Sequence, residues 1–274
     1  MLGNRREGCD QQRGKVLIAV TLVSQKRIPI LAYHALIADK RRSLPDGWSA
    51  KHAVRLEAFY SQISCLRADG WTSLLPEDLC GKPIDNANRC FVVTFDDGHD
   101  SDALAAAILH ENGYRGIFYV PWLHIERPGF LTRRQILDLT AENFAIGSHG
   151  ITHSPLTEKS QPELHRELAL SKQHLESLIG TTVADLAIPF GRYNRAVIAT
   201  AKAVGYQRIM TSDIGIARAG ASAVFPRIPI TASTTLAEFR AMVSMSVMET
   251  MLYRVSTAVS HRFAVLGKAK PLDA

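Results

Sequence analysis

The sequence predicts an α/β chain whose parallel strands close, or nearly close, into a barrel. Short β-rich segments alternate with helical ones along most of its 274 residues, and right-handed βαβ crossovers then impose a parallel sheet. The spacing leaves room for seven or eight strands, the number of a (β/α) barrel. No GxGxxG follows the first strand and no GxxxxGK[ST] occurs, so the phosphate cradle of an open nucleotide-binding sheet is missing.

Residues 28–37 (IPILAYHALI) are almost continuously apolar, as a strand covered on both faces requires. Residues 53–69 carry Val54, Phe59, Ile63 and Leu66 at helical spacing, with Gly70 as C-cap, and 71–75 form a short strand. Strands are predicted at 90–95, 116–120, 144–147, 186–189 and 206–211. Helices are predicted at 102–112, 133–142, 162–179 and 195–204, closed where Gly113, Gly180 or Gly205 follows. Residues 236–266 read as helical, with Met242, Met245, Met248 and Met251 at every third position. Such methionines fill core gaps; the alternative is a face for a partner or a membrane surface, helped by Arg254, Arg262 and Lys268. Glu249, Arg254 and His261 exclude a membrane-spanning helix. The expected organisation is a basic arm at 1–27, a barrel at 28–235 and a helical extension at 236–274 packed on or beside it.

A composition 46% hydrophobic and 21% charged excludes disordered, collagenous and coiled-coil proteins. The net charge of +6 lies at the front: residues 1–60 hold 11 Lys/Arg against 5 Asp/Glu, and the remainder is balanced. A neutral main body argues against a nucleic-acid enzyme. The arm reads as solvated, with a contact for anionic partners as the alternative. Cys9, Cys65, Cys80 and Cys90 show no metal or disulfide spacing, so reduced thiols are expected. Arg13 and Lys15 precede an apolar run at 16–23, but no small-x-small cleavage site follows before Lys26 and Arg27. The expectation is the cytoplasm or the periphery of the inner membrane, with export left open and no transmembrane helix.

Three apolar strands run directly into polar clusters: Asp96-Asp97-Gly98, Ser148-His149, and Phe190-Gly191-Arg192. In a parallel barrel all three share one rim, where barrel enzymes keep their catalytic groups. Adjacent carboxylates at the end of a buried strand need a cation or a proton, although an Asx turn with a helix N-cap also accounts for an isolated Asp-Asp-Gly. His149 and His153 stand four apart, and a helical turn would bring both imidazoles to one point. Two imidazoles and a carboxylate make a three-ligand catalytic zinc set with the fourth position open to water. The second carboxylate is then placed to take a proton from that water, which suits hydrolysis of an amide or ester. A backbone N–H near Phe190 or Gly191 could share the developing oxyanion.

TFDDG (94–98), SHGITH (148–153) and PFGRYN (189–194), in this order, resemble the polysaccharide deacetylase family with its NodB-homology domain. IPILAYH (28–34) is similar to the first strand of the family's poly-N-acetylglucosamine deacetylase branch. The resemblance spans about residues 28–230. It implies a distorted (β/α) barrel of about seven parallel strands, Asp96 as general base, and Asp97, His149 and His153 as ligands of one divalent metal, normally zinc. It also implies a loop from Pro189 through Phe190, Gly191, Arg192 and Tyr193 bordering the acetyl pocket.

The family's arginine two positions before the third motif's proline is Ala187 here, and Arg192 is the expected substitute. The late Leu-x-His that supplies the acid is missing, since 225–230 read FPRIPI. His34, at the end of the first strand, is the candidate acid, with a packed core histidine as the alternative. His110, His165 and His174 fall in helices and read as surface residues; His99 reads as a helix-turn residue; His52, His124 and His261 have no motif context. The expected function is hydrolysis of the acetyl group of an N-acetylhexosamine in a polysaccharide, oligosaccharide or lipid-linked sugar. The alternatives are a glycan-binding protein that has lost turnover, or a hydrolase of a small cyclic amide or ester.

Overall fold

The computed structural model describes residues 26–38, 49–80, 84–85, 89–220 and 223–244. Eight strands build the main sheet: β1 (Ile30–Tyr33), β2 (Trp71–Leu74), β3 (Arg89–Phe95), β4 (Ile117–Val120), β5 (Ala145–Ser148), β6 (Asp185–Ala187), β7 (Arg208–Ile214) and β8 (Val224–Pro229). Seven of them close a parallel barrel in the order β1, β8, β7, β6, β5, β4, β3, because β3 also pairs with β1 from Val92↔Ile30 to Phe95↔Tyr33. The eighth, β2, pairs with the first half of β3. Six α-helices lie among the described residues: α1 (Leu56–Ala68), α2 (Asp102–Glu111), α3 (Arg133–Ala141), α4 (Gln161–Ile179), α5 (Arg195–Val204) and α6 (Leu236–Ser244).

Local chemistry sets most of these ends. Thr132 with Gln135, and Ser160 with Glu163, form capping boxes at the starts of α3 and α4, and Gly180 ends α4 in the left-handed conformation. The predicted first strand is shorter than its apolar run. It breaks at Pro29 and His34, and Ala35–Ile37 leaves the barrel to pair with Ala53–Arg55.

The closing strand β8 is absent from the sequence prediction, since Pro226, Arg227 and Pro229 disguise it. A register shift between Met210 and Ile214 of β7 lets this proline-containing strand pair there. On α6, Phe239, Met242 and Val243 are buried and the helix meets α1, which agrees with Met242 as a core filler. Met245, Met248 and Met251, the rest of the helical extension, and the basic arm apart from Lys26 and Arg27 lie outside the described residues. Among the described residues Cys65, Cys80 and Cys90 form no disulfide.

Strand alternation divides the core. Leu31, Val93, Phe95 and Phe118 face the helices, while Ile30, Val92, Ile117, Tyr119, Met210 and Phe225 fill the barrel interior. The Tyr119 ring takes the space a side chain on β5 would need: a Cβ built at Gly147 falls 2.3 and 2.4 Å from it. Gly147→Ala therefore overpacks the barrel and should cost about 1–3 kcal/mol of unfolding free energy, measured by denaturant titration. A value within about 0.5 kcal/mol of the parent, the range of neutral surface changes, would contradict this packing.

Candidate active site

The C-terminal ends of the strands form one rim, and the chemistry gathers there. β3 delivers two carboxylates in opposite directions, because Asp97 adopts the left-handed region at φ 78° while Asp96 continues the ladder through its N–H to the Tyr33 carbonyl at 3.0 Å. Asp96 is buried and gripped by Arg227, whose two terminal nitrogens donate to Oδ1 and Oδ2, each at 2.7 Å. Arg227 also donates to Thr94 Oγ1 at 3.1 Å and, from Nε, to the Thr211 carbonyl at 3.0 Å. Burial alone would raise the Asp96 pKa; the guanidinium outweighs it and holds the carboxyl below its ordinary range. Asp96 is thus held ionised and in a fixed orientation.

Asp97 faces the histidines. Its Oδ1 lies 3.2 Å from His149 Nε2 and 2.9 Å from His153 Nε2, and the three ligand atoms all fall within 4.8 Å of one another. Metal–ligand bonds of about 2.0–2.2 Å put tetrahedral donors about 3.3–3.6 Å apart, so the three atoms lie close enough to share one ion after small shifts. The tautomer gives a stricter test of that fit. His149 Nδ1 is 2.8 Å from the Ala187 carbonyl, an acceptor only, so Nδ1 carries the proton. Neutral His149 then turns an Nε2 lone pair toward the Asp97 carboxylate, and only a proton or a cation between them makes that contact favourable. Burial opposes charge on His149, but Asp97 and Asp96 raise its pKa nonetheless. Asp97 is correspondingly pulled well below the usual carboxylate range by the two imidazoles, against its burial.

The route to this geometry differs from the predicted helical turn. Residues 149–155 carry no helix, and Gly150 and His153 take positive φ values of 78° and 51°. In the loop after β6, Phe190 has φ 58° and its ring, 58% exposed, lies 4.8 Å from that of His153. Pro189 is buried beneath it. The Gly191 N–H is committed to the Ile188 carbonyl at 3.0 Å, so of the Phe190 and Gly191 amides it is not the one available as an oxyanion donor. Tyr193 donates its hydroxyl to Asp213 across the same rim.

Arg192 does not take the role expected of it. It is largely exposed and meets Glu158 at 3.4 Å, while Arg227 of the FPRIPI strand holds Asp96. An arginine between apolar residues signals a buried partner, and this was the available clue. His34 does reach the rim. Burial, with Arg227 and His149 nearby, pulls its pKa down against the raising effect of Asp96 and Asp97. Its Nδ1 is closed off without a hydrogen-bond partner among the described residues, and its ring stands 4.4 Å from that of His52. His124 also lies at the site, with Nδ1 3.3 Å from the Asp97 carbonyl oxygen and its ring 5.3 Å from that of His153. Neither His52 nor His124 has a motif to announce it. His174, read as a surface residue, stacks on Trp122 at 4.8 Å, and His99 stays in the turn before α2, bonded to Ser101.

Two outcomes follow from this electrostatic arrangement. Arg227→Met leaves Asp96 buried without its counter-ion and should cost about 3–5 kcal/mol of stability, with part regained by adding Asp96→Asn; an unchanged denaturation midpoint would refute the pairing. Burial first, then the charges of His34 and Lys51, lower the His52 pKa from 6.5 to about 4. The unfolded chain therefore binds the extra proton between those values, and stability present above pH 6.5 is lost as pH falls toward 4. In melting curves taken with chelator, His52→Gln should lose less on acidification than the parent; parallel curves would contradict this.

The family model for polysaccharide deacetylases matches residues 84–209, which contain Asp96, Asp97, His149, His153 and the 189–193 loop. YxkH of Bacillus subtilis, described as a polysaccharide deacetylase, is 24% identical over 195 residues, 70% of this chain and 66% of its own length. The peptidoglycan-N-acetylglucosamine deacetylase of Bacillus cereus is 26% identical over 131 residues, 47% of this chain and 59% of its own length. The chain thus spans about three fifths to two thirds of these relatives. The structure of the Streptococcus pyogenes deacetylase PplD in complex with acetate superposes with a TM-score of 0.73 at 22% identity, covering 81% of this chain and all of that one. The seven-stranded closed barrel, the ordered motifs and these matches agree: residues 84–209 match the polysaccharide deacetylase family, and the fold is its NodB-type (β/α) barrel.

Proposed function

We propose that this protein is a metal-dependent carbohydrate deacetylase that hydrolyses the N-acetyl group of an N-acetylhexosamine unit, releasing acetate and a free amine. The observation that carries the reading is the Asp97–His149–His153 group beside a separately held, ionised Asp96 on one rim. Asp97, His149 and His153 would hold one divalent ion, and a donor set of two imidazoles and one carboxylate favours zinc. Such an ion, when bound, supplies a Lewis acid for the acetyl carbonyl and lowers the pKa of the attacking water.

The remaining work falls to the chain's own groups. Asp96 accepts the proton of the attacking water, and Arg227 keeps it ionised and aimed. The Phe190 amide, at the turn formed by Pro189, Phe190 and Gly191, stabilises the oxyanion. His34, neutral because burial lowers its pKa, first takes up the proton that Asp96 removes from the attacking water and then passes it to the departing nitrogen. The exposed rings of Phe190 and Tyr193, with Arg192 beside them, offer a sugar face a platform at the mouth. The substrate named for the Bacillus cereus relative supports an N-acetylhexosamine.

The rival reading, a glycan-binding protein without turnover, rests on a missing arginine and a missing general acid; Arg227 supplies the first, and His34 is the group proposed for the second. Among the described residues no helix is long and apolar enough to cross a membrane. A lipid-linked sugar taken up at the inner membrane surface belongs to the same substrate class.

Purified protein loaded with zinc should release acetate from N-acetylglucosamine oligomers, and chelation should stop it. Asp96→Asn should lower kcat by about 10²–10⁴-fold, the usual contribution of a general base; unchanged turnover would remove Asp96 from the reaction. His34→Ala should slow amide hydrolysis far more than hydrolysis of an aryl acetate, whose leaving group needs no proton. Equal losses on both substrates would exclude His34 as the acid.

A further inference from the structure

We propose that Glu167 of α4 is the positioning residue for the metal-binding histidines: its carboxylate clamps the turn between His149 and His153 in ligating geometry. The inference rests on the metal-binding reading above and adds a residue that no motif marks.

The turn cannot hold itself. It has no helix, and His153 sits in the left-handed region that a non-glycine residue leaves unless its surroundings prevent it. Its two central amides have no carbonyl of their own turn to bond. The Ile151 and Thr152 N–H groups both donate to Glu167 Oε1, at 2.9 and 2.6 Å, and the Thr152 hydroxyl donates to the same oxygen at 2.8 Å. The other carboxylate oxygen meets Lys159 Nζ at 3.3 Å. Glu167 is 6% exposed, so these three donors face a desolvated anion and form charge-assisted bonds.

The neighbouring contacts make Glu167 the decisive member. One helical turn on, Ser171 donates to the Gly150 carbonyl at 2.9 Å and bonds Ser148 Oγ at 2.8 Å. On the opposite edge the Trp122 and Leu123 amides donate to the Gly150 and Ile151 carbonyls, both at 3.0 Å. These partners fasten the turn's carbonyls; Glu167 fastens its central amides, nearer His153. A Cβ at Gly150 would come within 3.1 Å of Glu167 Oε1, so the turn lies directly against the carboxylate.

His149 is anchored independently, its amide donating to the Val120 carbonyl at 3.2 Å and its Nδ1 to Ala187. His153 Nε2 meets only Asp97 among the described residues, and the backbone that carries it is set by the clamp. Without Glu167 the Ile151 and Thr152 amides must seek other acceptors, His153 is free to leave the left-handed region, and the third ligand moves off the ion. Supporting groups of this kind are typically worth about 10–100-fold in metal affinity.

Cobalt(II) binding followed by visible absorption, with zinc competition, tests this on the full chain. Binding by the parent protein is checked first: if it takes up neither ion, the metal reading itself falls, and Glu167 with it. Glu167→Ala should then bind cobalt(II) about 10–100-fold more weakly at a temperature where circular dichroism shows it folded, and Glu167→Gln, which keeps one acceptor oxygen, should lie between. Leu175→Ala is the control for general loss of stability, being fully buried on the same helix and two turns away. It should melt lower than the parent yet bind cobalt(II) equally well. Parent-like affinity in Glu167→Ala, or an equal loss in Leu175→Ala, would overturn the assignment. Should Glu167→Ala not fold, Glu167→Gln decides alone, with weakened binding supporting the clamp and unchanged binding overturning it.

Discussion

A carboxylate oxygen and two imidazole nitrogens brought to about hydrogen-bond distance repel one another unless something positive lies between them. That constraint governs the rim of this barrel. The Ala187 carbonyl fixes the His149 tautomer so that a lone pair, not a proton, is presented to Asp97. The backbone accepts positive φ at Asp97 and at His153 to complete the set. Strain of this kind, on the order of 1–3 kcal/mol per residue, persists only where the surroundings over-determine it. Here those surroundings are strand ends, a helix-borne carboxylate and the loop after β6.

The same rim solves a second electrostatic problem by different means. Asp96 and Asp97 are sequence neighbours at the end of one buried strand, and two bare carboxylates there would repel. Each has its own positive environment. Asp96 lies in the planar fork of Arg227, which a lysine could not reproduce in both bonds, and Asp97 lies against the imidazoles. Separate partners give adjacent residues separate roles in the proposed reaction, one as base and one as ligand. Arg227 comes from the strand that closes the barrel, so closure of the sheet and ionisation of the base depend on the same segment.

Much of this was legible in the residues. Apolar runs ending in polar clusters located β3, β5 and β6 to within a residue or two; Asp96, Asp97 and His149 followed from where those runs stop, and His153 from its spacing of four from His149. What escaped was long-range or masked. Strand β8 escaped because two prolines and an arginine erase its strand signature, and with it went the partner of Asp96, 131 residues away in sequence. Arg192, adjacent to a motif, was the nearer choice, yet it faces solvent and Glu158. His52, His124 and Glu167 carry no local pattern. A buried glutamate on an otherwise amphipathic helix looks like any solvated one until the turn opposite it is in place.

Metal content decides the central claim most directly. Protein loaded with zinc, desalted and weighed under native conditions should carry one equivalent of ion, and His149→Ala, folded by circular dichroism, should carry none. A parent protein that binds no divalent ion, or a His149→Ala variant that retains the full equivalent, would contradict the account.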